Sequence, residues 1–149
     1  MAEKKLQDHS NDLVKKLDEV FKQAPHLPAN IREVLVKIAP ILSLVFGVLG
    51  VIAGLGLIGV SPVALFGGMN YSITVLVGGI LTIVSSVLML MAYPKLNKHL
   101  YAGWMLLFWS ELASILGSLL SASSGGIVGT LLGIVIGLYI LFEIKSYYK

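Results

Sequence analysis

From residue 38 to residue 94 the chain carries not one charged side chain, and from residue 100 to residue 142 it carries only Glu111. All 11 Lys and Arg residues fall instead in three short stretches, 4–37, 95–98 and 145–149. Each apolar block is too long for one membrane crossing, which takes roughly 20 apolar residues, and suits two joined by a turn. With 56% hydrophobic and 13% charged residues, a soluble chain of 149 residues could not cover its apolar surface with polar groups. The pattern predicts an all-α polytopic membrane protein: four transmembrane helices, as two hairpins, at about 38–58, 71–92, 100–120 and 127–142. The three basic stretches then share one side, which the positive-inside rule assigns to the cytoplasm together with both termini. The first 37 residues are too charged for a signal peptide, so the first crossing is expected to be retained.

The segment before the first block has its own pattern. Over residues 3–23, Leu6, Leu13, Val14, Leu17, Val20 and Phe21 recur at helical spacing among charged side chains. They predict an N-terminal cytoplasmic amphipathic helix. Leu6, Leu13, Val20 and Leu27 also lie seven apart, a short coiled-coil-like seam. Seven basic against six acidic residues over 1–37 give no strong attraction to anionic lipid. Pro25 and Pro28 break this helix and put His26 in an elbow. Asn30 with Glu33 three positions on resembles a capping box, so a second helix is expected from Ile31. The chain thus divides into residues 1–30, helix and elbow, and residues 31–149, a four-helix bundle.

Small residues recur every four positions inside the crossings: Gly50 and Gly54 on the first, and Gly78, Thr82 and Ser86 on the second. Ala113 and Gly117 mark the third, and Gly125, Gly129, Gly133 and Gly137 the fourth. In lipid, helices associate through close backbone approach and interhelical hydrogen bonds, which this spacing permits. The rows therefore predict packing within one chain or, chiefly through the fourth helix, a homo-oligomer. Glu111 is the one ionisable group deep in the apolar blocks, about 16 Å from the inner end of its helix. An acid there is costly and must face protein or water. It is expected as a protonated carboxyl bonded to Thr82, Ser85, Ser86, Thr130 or a carbonyl, or else as a proton or cation site.

Enzyme chemistry has no foothold. There is no cysteine for thiol catalysis or thiolate metal sites. His9, His26 and His99 are scattered through polar segments, form no ligand pair and read as solvated surface residues. The glycine-rich run 47–59 lacks the Lys-Ser/Thr of a phosphate loop and lies within a span. No cofactor, metal or nucleic-acid partner is expected. The segments WMLLFWSELASILGSLL and GTLLGIVIGLYILFEIKSYYK resemble the C-terminal half of small four-helix bacterial inner-membrane proteins. That resemblance implies an inner (plasma) membrane location and transfers no activity and no site residue. A lone acid among glycine-rich helices also invites comparison with rotary ATPase proteolipids. The placement of Glu111 on the third span, the long charged N-terminal helix and the loop YPKLNKH depart from that pattern. The expected function is a non-enzymatic structural or interaction subunit of the bilayer, with residues 3–23 docking a cytoplasmic partner or the bundle itself. The alternative is an oligomeric channel or proton-linked carrier built on Glu111.

Overall fold

The computed structural model describes residues 2–121 and 127–149, with side chains described over residues 11–119 and 131–149. It contains five helices among the described residues: α1 (Ala2–Phe21), α2 (Ala29–Val60), α3 (Met69–Asn97), α4 (Tyr101–Ser121) and α5 (Ile127–Ile144). Short 3₁₀ turns at Val63–Gly67 and Lys145–Tyr147 complete them, and no described residue is in a strand. Three helices, Ala29–Val60, Met69–Asn97 and Tyr101–Leu119, are long and apolar enough to cross a membrane. The segment 121–126 expected to form the outer turn of the second hairpin falls largely outside the described residues, as do Gly125 and the side chains of Gly129 and Thr130.

Helix boundaries depart from the sequence reading in two places. α2 begins at Ala29, with Pro28 as its N-cap and no side-chain cap. Asn30 therefore lies inside the first turn, and the capping box is not formed. Proline in the position just before a helix start costs nothing, because the N–H it lacks would have no helical acceptor there. At the other end, α3 continues through Pro94 to Asn97, where the sequence predicts an inner loop from residue 93. One missing N–H costs a single bond, which the remaining turn of helix tolerates near its end. The real break comes at His99, whose φ of 53° places it in the left-handed region.

α2, α3 and α4 pack side by side, with the largest interfaces between consecutive helices. Close approach explains where the glycines sit. A Cβ on Gly54 would lie 2.9 Å from the Gly79 carbonyl and 2.5 Å from Ile83 Cγ1, and one on Gly79 would lie 3.0 Å from the Gly54 carbonyl. Gly47 and Gly50 abut Leu90 and Ser86 in the same way. The predicted Gly50 and Gly54 are thus packing positions, Gly78 is buried beside them, and Gly47 and Gly79 complete the row. Between α3 and α4 the bond is polar: Ser85 Oγ donates to the Ser110 carbonyl at 2.9 Å and lies 2.7 Å from Ser114 Oγ. A Cβ on Gly117 would make ordinary contact with Leu81 of α3 at 3.5 Å, and Ala113 lines a cavity with Thr82 and Ser86.

The fully buried core is aromatic and sits at one end. Trp104 and Phe108 of α4 are wholly buried and stack at 5.7 Å, with Phe142 of α5 edge-on to both. Trp104 Nε1 donates to the Leu141 carbonyl at 2.7 Å, one of the last four carbonyls of α5, which a helix leaves without partners. Trp104 is therefore a core residue. Lys149 meets the turn between α3 and α4 here too. The Tyr101 N–H donates to the Lys149 carbonyl at 2.9 Å, and the Lys149 N–H donates to the His99 carbonyl at 3.0 Å.

The α5 glycine row is open at Gly133: among the described residues nothing lies within 4 Å of a Cβ built on it. Gly79→Leu should lower the unfolding free energy in detergent by about 1–3 kcal/mol, the cost of overpacking a closed site, whereas Gly133→Leu should leave the monomer unchanged. Equal losses for the two variants would show that α2 and α3 do not meet at Gly54 and Gly79.

Candidate functional site

Two prolines strip the elbow between α1 and α2 of helical hydrogen bonds, and α5 supplies the replacements. Tyr139 and Glu143 are four residues apart and so share one face of α5. The Tyr139 hydroxyl donates to the Pro25 carbonyl. Glu143 Oε2 accepts from the Leu27 N–H at 3.2 Å, and Oε1 lies 2.7 Å from His26 Nδ1. The Glu143 side chain is only 4% exposed, and a buried carboxylate is tolerated only when paired and hydrogen-bonded. Arg32 of α2 adds its charge, with Nε 3.8 Å from Oε2, beyond hydrogen-bond reach.

A second polar group extends the junction onto α1. Asp18 takes Lys22 Nζ at 2.9 Å and Lys145 Nζ at 3.0 Å. Burial alone would raise the Asp18 carboxyl, yet the hydrogen bonds from the two lysines hold it below its ordinary value of 3.8. The Lys145 ammonium also lies 5.6 Å from the centroids of Trp104 and Phe142, a cation–π placement that joins the charged layer to the aromatic core. Beneath these contacts, Val14, Leu17 and Phe21 turn the apolar side of α1 onto the bundle, with Phe21 stacked on Phe142 at 5.2 Å.

These groups surround a cavity of about 350 Å³ lined by α1, the elbow, α2, α4 and the chain's C-terminal turn. Two of its buried polar atoms have no hydrogen-bond partner among the described residues: Arg32 Nε and the Tyr148 hydroxyl. Burial pushes the Tyr148 phenol up to about 12, so it is a neutral donor at physiological pH. Little of this is visible in the sequence. His26 reads there as a solvated surface residue, and its ring is indeed 58% exposed, but its Nδ1 is committed to Glu143. His99 is likewise not free, since its ring stacks on Tyr148 at 5.9 Å. Glu143, Arg32, Asp18 and Tyr148 carry no motif. The available signal is positional: Glu143 is the one acid beside the last apolar block, in a segment otherwise basic.

Glu111, the predicted intramembrane site, occupies a separate groove. Its carboxyl lies over Gly137, where a Cβ would meet Oε1 at 2.6 Å. The groove, about 260 Å³, is lined mainly by apolar side chains of α2, α4 and α5, with Ser43 and Ser110 as its other polar members. Both serines donate to carbonyls of their own helices, Pro40 and Leu107. Three of the expected partners are engaged elsewhere, Thr82 with the Gly78 carbonyl, Ser85 with α4 and Ser86 with the Thr82 carbonyl, and the side chain of Thr130 lies outside the described residues. Among the described residues Glu111 has no hydrogen-bond partner. Gly137 is thus explained as room for a carboxyl, not for a backbone. No group of His, Asp and Glu among the described residues has the arrangement of a metal site.

Comparison with family models, curated proteins and solved structures finds no match to this chain.

The lowered Asp18 value fixes a sign. A carboxyl depressed on folding stabilises docking at pH above its ordinary 3.8, and that stabilisation is lost as pH falls through the lower folded value. A spin label on Lys16, exposed on α1, should therefore gain mobility on acidification below 3.8. Asp18→Asn should start more mobile at neutral pH and respond less. Identical profiles for the two proteins would show that Asp18 does not hold α1.

Proposed function

We propose that this chain is a small non-enzymatic integral membrane protein that works as an interaction subunit. In this reading α5 is the fourth crossing, both termini are cytoplasmic in a plasma membrane, and α1 presents a surface to a partner. One observation carries it. α1 is held to the bundle through Val14, Leu17 and Phe21, while Leu13 and Val20, at the edge of the same apolar face, are 48% and 63% exposed. These two belong to the seam of residues spaced seven apart, so the docked helix offers a pair of apolar knobs of the kind that pack in a two-helix interface. The junction with Glu143 and Lys145 supports a presenting role, because it fixes the angle at which that seam stands.

A second reading has its own support. Glu111 is without a hydrogen-bond partner among the described residues and borders a groove between helices, which suits a proton-linked or cation-conducting oligomer better than it suits structural glue. The open, exposed side of α5 around Gly133 is where copies would meet.

Both readings share a topology and differ in the role given to Glu111 and to the α1 seam. Cysteines at Asn97 and Ser123 should label from opposite sides of the membrane; labelling from one side would remove the fourth crossing. Leu13→Asp with Val20→Asp should then strip a co-purifying protein or self-association in mild detergent while leaving membrane insertion intact. A mass profile unchanged by that pair, with a proton leak in liposomes that Glu111→Gln abolishes, would overturn the subunit reading in favour of the carrier.

A further inference from the structure

The cavity at the α1–α5 junction is built like an anion site. Three cations line it, Lys22, Arg32 and Lys145, against the two carboxylates Asp18 and Glu143. One positive charge is left over, and a second when His26 is protonated. The carboxylates are already spoken for. Asp18 is taken by both lysines, and Glu143 by His26 and the Leu27 N–H. Two donors have no hydrogen-bond acceptor among the described residues: Arg32 Nε, which faces Glu143 only as an ion pair at 3.8 Å, and the Tyr148 hydroxyl, in a residue only 4% exposed. Buried polar atoms are nearly always paired, so an orphaned pair in one cavity calls for an acceptor. Both residues line the one cavity, and a guanidinium N–H and a phenol O–H are donors that suit a phosphate oxygen.

Depth selects the source of that phosphate. Arg32 precedes the uncharged stretch by six residues, about 9 Å along a helix, which puts it at the outer rim of a headgroup layer of roughly 5–7 Å beside the hydrocarbon. Phe21, Phe142 and Tyr101 form the rest of the wall, an apolar side along which a glycerol and the first acyl carbons can lie. The volume is about ten times the roughly 30 Å³ share of one water, enough for a phosphate with its glycerol. We propose that this cavity binds the phosphodiester of an anionic phospholipid in the inner leaflet, with Arg32, Lys145 and Tyr148 as its contacts. A phosphodiester brings one negative charge, which matches the one left uncompensated. Basic pockets between helices at a cytoplasmic surface bind lipid headgroups by the same chemistry. The inference rests on the proposed membrane orientation only in placing the cavity at headgroup depth.

Native mass spectrometry of the full chain in mild detergent, titrated with phosphatidylglycerol, phosphatidylcholine or inorganic phosphate, tests it. Phosphatidylglycerol should bind in preference to phosphatidylcholine, and Arg32→Gln should weaken it about tenfold, the effect of one charge-assisted hydrogen bond. Tyr148→Phe, which keeps the ring and so the packing, should weaken it several-fold. Lys98→Gln, an exposed basic residue outside the cavity, should change nothing. Parent-like binding in the Arg32 and Tyr148 variants, or an equal loss in the Lys98 variant, would overturn the site. Saturation by inorganic phosphate that displaces the lipid would overturn the lipid source and leave a free-phosphate site. A chain that enters liposomes yet binds no anionic lipid defeats this inference alone, whereas one that fails to insert defeats the membrane reading.

Discussion

A single carboxylate holds the two ends of this chain together. Glu143, buried at the end of α5, bonds His26 and the Leu27 N–H, the two groups that an elbow flanked by prolines leaves exposed. Without it the elbow would have orphaned backbone groups beside an apolar bundle, and α1 would be tethered only by a flexible joint. With it, Asp18 comes within reach of Lys145, Phe21 stacks on Phe142, and a cavity forms between the charged layer and the aromatic core. Breaking a buried pair by removing one partner costs far more than the pair contributes over an apolar substitute. The junction is therefore a specificity device: it selects one docking angle for α1.

The bundle below is organised on a different principle. Where no water is present to drive burial, helices gain by approaching closely and by satisfying hydroxyls across the gap. Gly54 against Gly79 and Ser85 against Ser110 are the two forms this takes. Glu111 is the exception: it lies over Gly137, away from the hydroxyl-rich α3–α4 interface, in a groove of apolar side chains.

How much of this is legible in the sequence depends on whether the signal is periodic or long-range. The apolar blocks and small-residue rows are local patterns, so the helices and the Gly50–Gly54 face of α2 can be read directly. Gly79 is hidden because a run of two glycines suits either register, and only the partner helix decides between them. That Gly133 meets no described neighbour is hidden for a related reason. A four-residue row defines a face but not what that face meets. The Asn30 cap is displaced because Pro28 starts the helix two residues earlier. The junction is illegible for a stronger reason: Asp18 and His26 lie 127 and 117 residues from their partners Lys145 and Glu143, and charge on an inner segment reads first as a topology signal. Burial turns those same charges into a structure.

The docking of α1 stands on the coupling between His26 and Glu143. A double-mutant cycle of His26→Ala and Glu143→Gln, read by hydrogen exchange of α1 amides, measures it most directly. Cooperative docking predicts that the double variant loosens α1 little more than Glu143→Gln alone, an interaction of about 0.5–3 kcal/mol. Simple addition of the two single effects would contradict it, leaving α1 held by its apolar face and the Asp18–Lys145 pair alone.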